Sequence, residues 1–198
     1  MKDARCGNFS PESPGASSAR LFVGIEVSEE ARVECARFAS LAAERLSGRL
    51  GDAGLYHVTL CFLGQTPRRA LGALQSILRG AAGESFAAQL SAPGCFKGGS
   101  ILWVGLKKSA PLLALQKRLA AALREGGFPV AEEGEYVAHI TLGRQLKGVG
   151  ALLSGLTPDA IRPISFPVDH IVLFESARIN GVLRYVPLLR VPMEAPHA

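Results

Sequence analysis

The sequence is poor in the residues on which metal and redox chemistry usually rest. Its 198 residues contain four histidines and four cysteines. Cys6, Cys35, Cys61 and Cys95 form no C-x-x-C pair, and none has metal-ligand spacing to a histidine, so free thiols in a reducing compartment are expected. No apolar run approaches about 18 residues, which argues against a membrane-spanning helix. The opening "MKDARCGNFSPESPGASSA" lacks an apolar segment of the secretory type; its Ser, Pro and Gly content predicts a disordered leader over residues 1–19. Charge of one sign is also scarce. Lys and Arg exceed Asp and Glu by 22 to 17, a net +5 compatible with a phosphate-bearing partner without requiring one. What remains, 48% hydrophobic and 20% charged, is the composition of an ordinary globular protein long enough to bury a core.

The ordered chain is expected to begin with the strand-like "RLFVGIEV" from Arg20 to Val27. Ser28 then caps a helix with acidic residues in its first turn and apolar residues at Val33, Ala36, Phe38, Leu41, Ala42 and Leu46. "LYHVTLCFLG" reads as a strand. A second helix is expected from the Thr66 cap and Pro67, and a third from the Ser109 cap and Pro111. "SFAAQLSA" and "ILWVGLK" read as strands around the turn-forming "PGCFKGGS". "EYVAHITLGRQL" is again β-rich, "GVGALLSGLT" a short helix, and "ISFPV", "DHIVLFES" and "VLRYVPLLRV" three closing strands with a hairpin at "ARINGV". Helices mixed with antiparallel strands give an α+β class.

One phrase occurs twice. "HVTL" at His57 and "HITL" at His139 each follow a helix and each end a β-rich approach. Side chains alternate faces along a strand, so His57 and Thr59 share one face opposite Val58, Leu60 and Phe62, and His139 and Thr141 share one opposite Ile140 and Leu142. A single His-x-Thr is ordinarily a solvated strand face. Two copies on facing halves would bring two imidazoles and two hydroxyls to one cleft. Imidazole titrates near pH ~6.5, so a neutral and a protonated ring can coexist there and act as base and acid. Threonine hydroxyls can donate to phosphoryl oxygens. Two His and two Thr are not a ligand set for zinc or magnesium, so no metal is expected.

With these motifs the sequence resembles the 2H phosphoesterase superfamily, and within it the bacterial and archaeal RNA 2′,3′-cyclic phosphodiesterases, historically called 2′-5′ RNA ligases. The likeness runs from about Arg20 to Leu189 through "RLFVGIEV", "HVTLCFLG", "ILWVG", "HITLGR" and "LFES". It implies two pseudo-symmetric lobes, each an antiparallel sheet with outer helices, around a central cleft: one bilobal domain over 20–192 followed by a tail at 193–198. It implies His57 and His139 as catalytic residues, Thr59 and Thr141 as substrate-binding residues, no metal and no cofactor. The expected partners are RNA ends or nucleotides bearing a 2′,3′-cyclic phosphate, with no membrane; a cytoplasmic monomer is expected. An arginine after the second motif commonly holds the phosphate, here Arg144. Strict alternation points Arg144 away from His139, but a bulge at Gly143 would turn it inward. Its charge would then lower the pKa of His139, making His139 the base and His57 the acid. Ala138 stands where many members have proline, a difference for strand entry rather than chemistry.

Other residues are assigned background roles. His170 is read as a strand-end histidine, His197 as solvated, Arg68 and Arg69 as a solvated face, and Phe22 and Trp103 as core rather than base-stacking residues. Cys61 shares the parity of His57 and is expected on the cleft floor.

Overall fold

A computed structural model describes residues 17–130 and 135–195. The expected leader falls mostly at 1–16, and His197 with the end of the tail at 196–198, outside the described residues. Strand β1 is Ser18–Glu26, so regular structure starts two residues before Arg20. Next come α1 (Glu29–Ala43), β2 (Ser47–Leu50), β3 (His57–Pro67), α2 (Leu71–Ala81), β4 (Phe86–Phe96), β5 (Ile101–Leu106), α3 (Ala110–Glu125), β6 (His139–Lys147), α4 (Val149–Ser154), β7 (Ser165–Val168), β8 (His170–Ile179) and β9 (Val182–Pro192).

The strands lie in the order β7-β4-β5-β6-β3-β1-β8-β9, with β2 paired to β6. Every strand pairing is antiparallel. The order is two runs of four, each ending at the centre in the strand that carries a His-x-Thr motif. Between β6 and β3 the runs pair at Val58 with Ile140, and just outside the strands Glu84 bridges Glu194 in parallel. The expected two lobes are therefore halves of one curled sheet.

Alternation sorts the residues of β1. Leu21, Val23 and Ile25 join the main core beneath the helices, with Phe38 of α1, Leu74 and Leu78 of α2, and Leu115 and Leu119 of α3. Phe22 faces the other way and forms a small second cluster with Val172, Phe174 and Tyr185. This is why β1 is buried on both faces although only one side carries helices. Glu34 is the charged side chain of α1 that enters the interior; Arg37 and Arg162 pair with it at 2.6 Å each and tie the helix to the approach to β7.

The Ser28 cap forms as expected, its hydroxyl accepting the Ala31 N–H at 3.2 Å. The hairpin between β8 and β9 turns on Asn180 and Gly181, both at positive φ, the geometry that Asn-Gly favours. Thr66 departs from expectation. β3 runs on through Thr66 to Pro67, Thr66 is buried, and its hydroxyl donates to Gly64 O at 3.4 Å rather than accepting a helix N–H. α2 begins only after a 3₁₀ turn at Arg68–Ala70 and has no side-chain cap. Ser109 sits at the cap position of α3 without a capping bond. β4 continues through the "PGCF" expected as a turn. Among the described residues no helix is long and apolar enough to cross a membrane.

Candidate active site

Val58 and Ile140, the bridging pair, are fully buried against the helices. Antiparallel counting outward from them puts His57 beside Thr141 and Thr59 beside His139. The four motif residues thus meet in a crossed square on the concave face, each half supplying its imidazole to one side and its hydroxyl to the other.

Both strands break alternation at the same place. Opposite β1, Val23 pairs with Cys61 and Gly24 with Thr59, leaving Leu60 extra. Opposite β5, Leu102 pairs with Gly143 and Trp103 with Thr141, leaving Leu142 extra. Each slip is a β-bulge one residue past the threonine, and it reverses the parity of the residues that follow, in β3 until a second slip just after Phe62. Cys61 therefore does not line the cleft. It is 3% exposed within the helix-side core, where burial pushes its thiol up to about 11. Phe62, expected in that core, instead pairs with cleft-facing Phe22 and is 46% exposed. Arg144 returns to the face of His139 and Thr141, as the expected bulge requires. Gly143 suits the slip because a Cβ there would come within 2.8 Å of Leu50 Cδ2 and 2.9 Å of Leu146 Cδ1.

The two imidazoles are anchored alike. Nδ1 of His57 lies 2.7 Å from Leu55 O, and Nδ1 of His139 2.8 Å from Val137 O. A carbonyl oxygen only accepts, so each Nδ1 carries a hydrogen and each neutral ring keeps its lone pair on Nε2. Nε2 of His57 accepts the Thr59 hydroxyl at 3.0 Å. Aromatic rings wall both histidines. Phe22 and Tyr185 lie 4.8 Å from His57, and Phe96 4.8 Å from His139 with Trp103 at 6.0 Å. Phe22 is core, as expected, but core of the small cluster that supports the site.

These walls displace part of the water around the two half-buried rings, and desolvation is the main reason both histidines titrate below the ordinary imidazole range. His57 is pushed down to about 4; the hydrogen bond to Leu55 opposes this, while the charges of His139 and Arg144 add to it. His139 is lowered by burial and by Arg144, against the bond to Val137. Arg144 therefore acts on both rings. That removes the reason for assigning His139 alone as the base.

Tyr136 and Tyr185 carry no motif and were not anticipated. The Tyr136 hydroxyl donates to Thr59 O at 2.9 Å and pins β3 at the threonine. Tyr185 stands edge-on to His57. Nothing in their β-rich sequence surroundings distinguishes them from ordinary aromatic packing. His170 has the expected place at a strand end. Its ring is held by Asp169 at 2.5 Å and Glu26 at 2.9 Å, and Arg190 also pairs with Glu26. Arg68 pairs with Glu175 at 2.6 Å. Among the described residues no group of three or more His, Cys, Asp and Glu is placed to hold a metal ion.

Comparison with known proteins gives the same outline. The model of the 2′-5′ RNA ligase superfamily matches residues 27–180. An RNA 2′,3′-cyclic phosphodiesterase of Geobacillus stearothermophilus is 28% identical over 166 residues, which cover 78% of this chain and 51% of that protein, so the chain spans about half the length of that relative. One of Archaeoglobus fulgidus is 27% identical over 132 residues, 63% of this chain and 72% of that protein. The crystal structure of E. coli LigT in apo form superposes with a TM-score of 0.74 at 24% identity, over 90% of this chain and 99% of that one. A Thermus thermophilus protein superposes at 0.70 with 20% identity, over 90% and 100%.

Proposed function

The chain belongs to the 2′-5′ RNA ligase superfamily, and from that premise we propose that it is a metal-independent phosphodiesterase opening terminal 2′,3′-cyclic phosphates of RNA to 2′-phosphates. The observation that carries the proposal is the pair of carbonyl-anchored imidazoles, each with Nε2 as its unprotonated nitrogen, on one concave face across the Val58–Ile140 bridge. A module that only bound nucleotides would need hydrogen-bond donors, not two rings locked in the tautomer of a base.

The chemistry divides between the halves. One neutral Nε2 removes a proton from water as its oxygen attacks phosphorus. The bond from phosphorus to the 3′ oxygen breaks, and the other ring, protonated, delivers its proton to that oxygen. The product is a 2′-phosphomonoester and a free 3′-hydroxyl. Attack and departure lie roughly in line, so the two rings must flank the phosphate, as the crossed square allows. Each proton transfer is worth ~10²–10⁴-fold. Thr59, Thr141 and Arg144 would hold the non-bridging oxygens. A bound phosphate anion would raise both imidazole pKa values and so favour the protonated ring that burial disfavours. If a 5′-hydroxyl replaces water as the attacking group, the same step forms a 2′-5′ linkage, which we include as a weak side activity.

The test is turnover of an oligoribonucleotide ending in a 2′,3′-cyclic phosphate, with EDTA present and the product compared with 2′- and 3′-phosphate standards. The expected product is the 2′-phosphate alone. A 3′-phosphate product, or activity that needs an added divalent ion, contradicts the proposal. A cyclic mononucleotide as the much better substrate would favour a small-metabolite enzyme of the same fold.

A further inference from the structure

Repeating the bulge in both halves makes their residues equivalent one by one. Cys61 corresponds to Gly143, and Phe62 to Arg144, five positions after each histidine. The His139 half places a guanidinium on the cleft face at this position. The His57 half places an aromatic ring there, 46% exposed. The ring lies on the site's side of the sheet, paired on β1 with Phe22, which itself stands 4.8 Å from His57. A guanidinium is nonetheless present on this side, supplied by the neighbouring strand: the Arg20 guanidinium carbon lies 4.9 Å above the centre of the Phe62 ring.

We propose that Arg20 and Phe62 form a second subsite of the cleft, which receives the nucleotide preceding the cyclic-phosphate end and so makes an RNA strand, rather than a mononucleotide, the preferred substrate. The inference rests on the phosphodiesterase reading above and adds its substrate class. Its geometry is that of a strand-binding surface. β3 and β6 run antiparallel from the Val58–Ile140 bridge, so Phe62 and Arg144 leave the central histidines in opposite directions. Phe62 lies three residues beyond Thr59, about 10 Å along an extended strand, which is roughly one nucleotide from the reacting phosphorus. Arg20 covers part of the ring, and the exposed remainder is available to a base, since every base has a face to stack. The guanidinium matches the phosphodiester that joins the last two nucleotides, in the paired-donor geometry arginine offers to phosphate. Tyr185, beside His57, feels the positive charges of both Arg144 and Arg20. Both guanidinium groups therefore lie within electrostatic reach of this one ring, whose own hydroxyl is raised chiefly by burial.

The experiment compares kcat/KM for a short oligoribonucleotide with a cyclic end and for the matching cyclic mononucleotide, in the wild type, Phe62→Leu and Arg20→Gln. The oligonucleotide-to-mononucleotide ratio is expected to fall about tenfold in each variant, the scale of losing one base stack or one phosphate contact. For Arg20→Gln the salt dependence of the oligonucleotide reaction is expected to weaken as well. Phe62→Tyr should retain the ratio, which separates stacking from a fold defect. An unchanged ratio in both Leu and Gln variants overturns the subsite, as does a wild type with no preference for the oligonucleotide. The same ratio taken from equilibrium binding of the 2′-phosphate products needs no turnover. A wild type that prefers the oligonucleotide in binding but hydrolyses neither substrate would refute the catalytic reading while leaving the subsite standing.

Discussion

The half of the molecule that carries His57 and the half that carries His139 have the same backbone and different surroundings. Both present a His-x-Thr strand at the inner end of a four-strand run, both anchor Nδ1 on the carbonyl two residues upstream, and both bulge one residue after the threonine. They differ in what the bulge exposes, Phe62 against Arg144, and in the walls, Phe22 and Tyr185 against Phe96 and Trp103. On the proposed reaction, symmetry is kept where two equivalent proton-transfer groups would be needed. It is lost where, on the same proposal, a substrate with two different ends would be told which way to lie.

Removing either histidine should have the largest effect. His57→Ala and His139→Ala are each expected to lower kcat by ~10²–10⁴, with urea unfolding curves close to wild type, because neither ring contributes to the helix-side core. If one variant keeps most of its activity, the two halves are not chemical equivalents. The difference between halves at the bulge should matter next. Arg144→Ala is expected to cost roughly tenfold to a hundredfold in kcat/KM, as a single charged contact to phosphate would. Gly143→Ala should give much of that loss while leaving Arg144 present, since its Cβ would press on Leu50 and Leu146 and disturb the slip that turns the arginine inward. Full activity in Gly143→Ala would show that the bulge is not what positions Arg144.

Stability against pH gives a smaller contrast, this time between the cleft and the sheet end. The folded pKa of His57 is depressed, to about 4 from 6.5. Between those values the unfolded chain binds the extra proton and the folded protein does not, so stability is lost as pH falls from 6.5 toward 4, by on the order of 3 kcal/mol. His57→Gln should flatten the unfolding free energy across that window. His170 is shifted the other way. Burial lowers its pKa, but its bonds to Glu26 and Asp169 outweigh that and raise it. Its contribution is full below pH 6.5 and fades as pH climbs through the raised value, and because the ring is partly solvated the effect should be slight. His170→Asn is therefore expected to lower stability a little at pH 6 and to converge with wild type at alkaline pH. The opposite trend in either variant would contradict the placement of that ring.

The parts of this arrangement that follow a period were legible in the sequence. Strict alternation placed both His-x-Thr pairs opposite Val58 and Ile140, and Ser28 marked the start of α1, because those positions are governed by local backbone geometry. The errors cluster at the bulges. In β6 a glycine signalled the slip and the turn of Arg144 was foreseeable. In β3 the same slip carries cysteine, so parity was extended one residue too far and exchanged the places of Cys61 and Phe62. Thr66 followed by Pro67 had the chemistry of a helix cap, yet pairing of Ser18 and Ala19 with Pro67 and Thr66 held that segment in the sheet. Such long-range pairing leaves no mark on neighbouring residues.

The central claim is that the two halves divide one reaction between a base and an acid. It is tested most directly with a nitrophenyl phosphodiester, whose leaving group departs without a proton. Turnover of this substrate by His57→Ala and His139→Ala should separate the two variants: the one that has lost the acid recovers most of its activity, and the one that has lost the base stays inactive. If both variants remain equally inactive on it, the histidines do not divide acid from base, and the account of the cleft as two halves of one proton-transfer device is wrong.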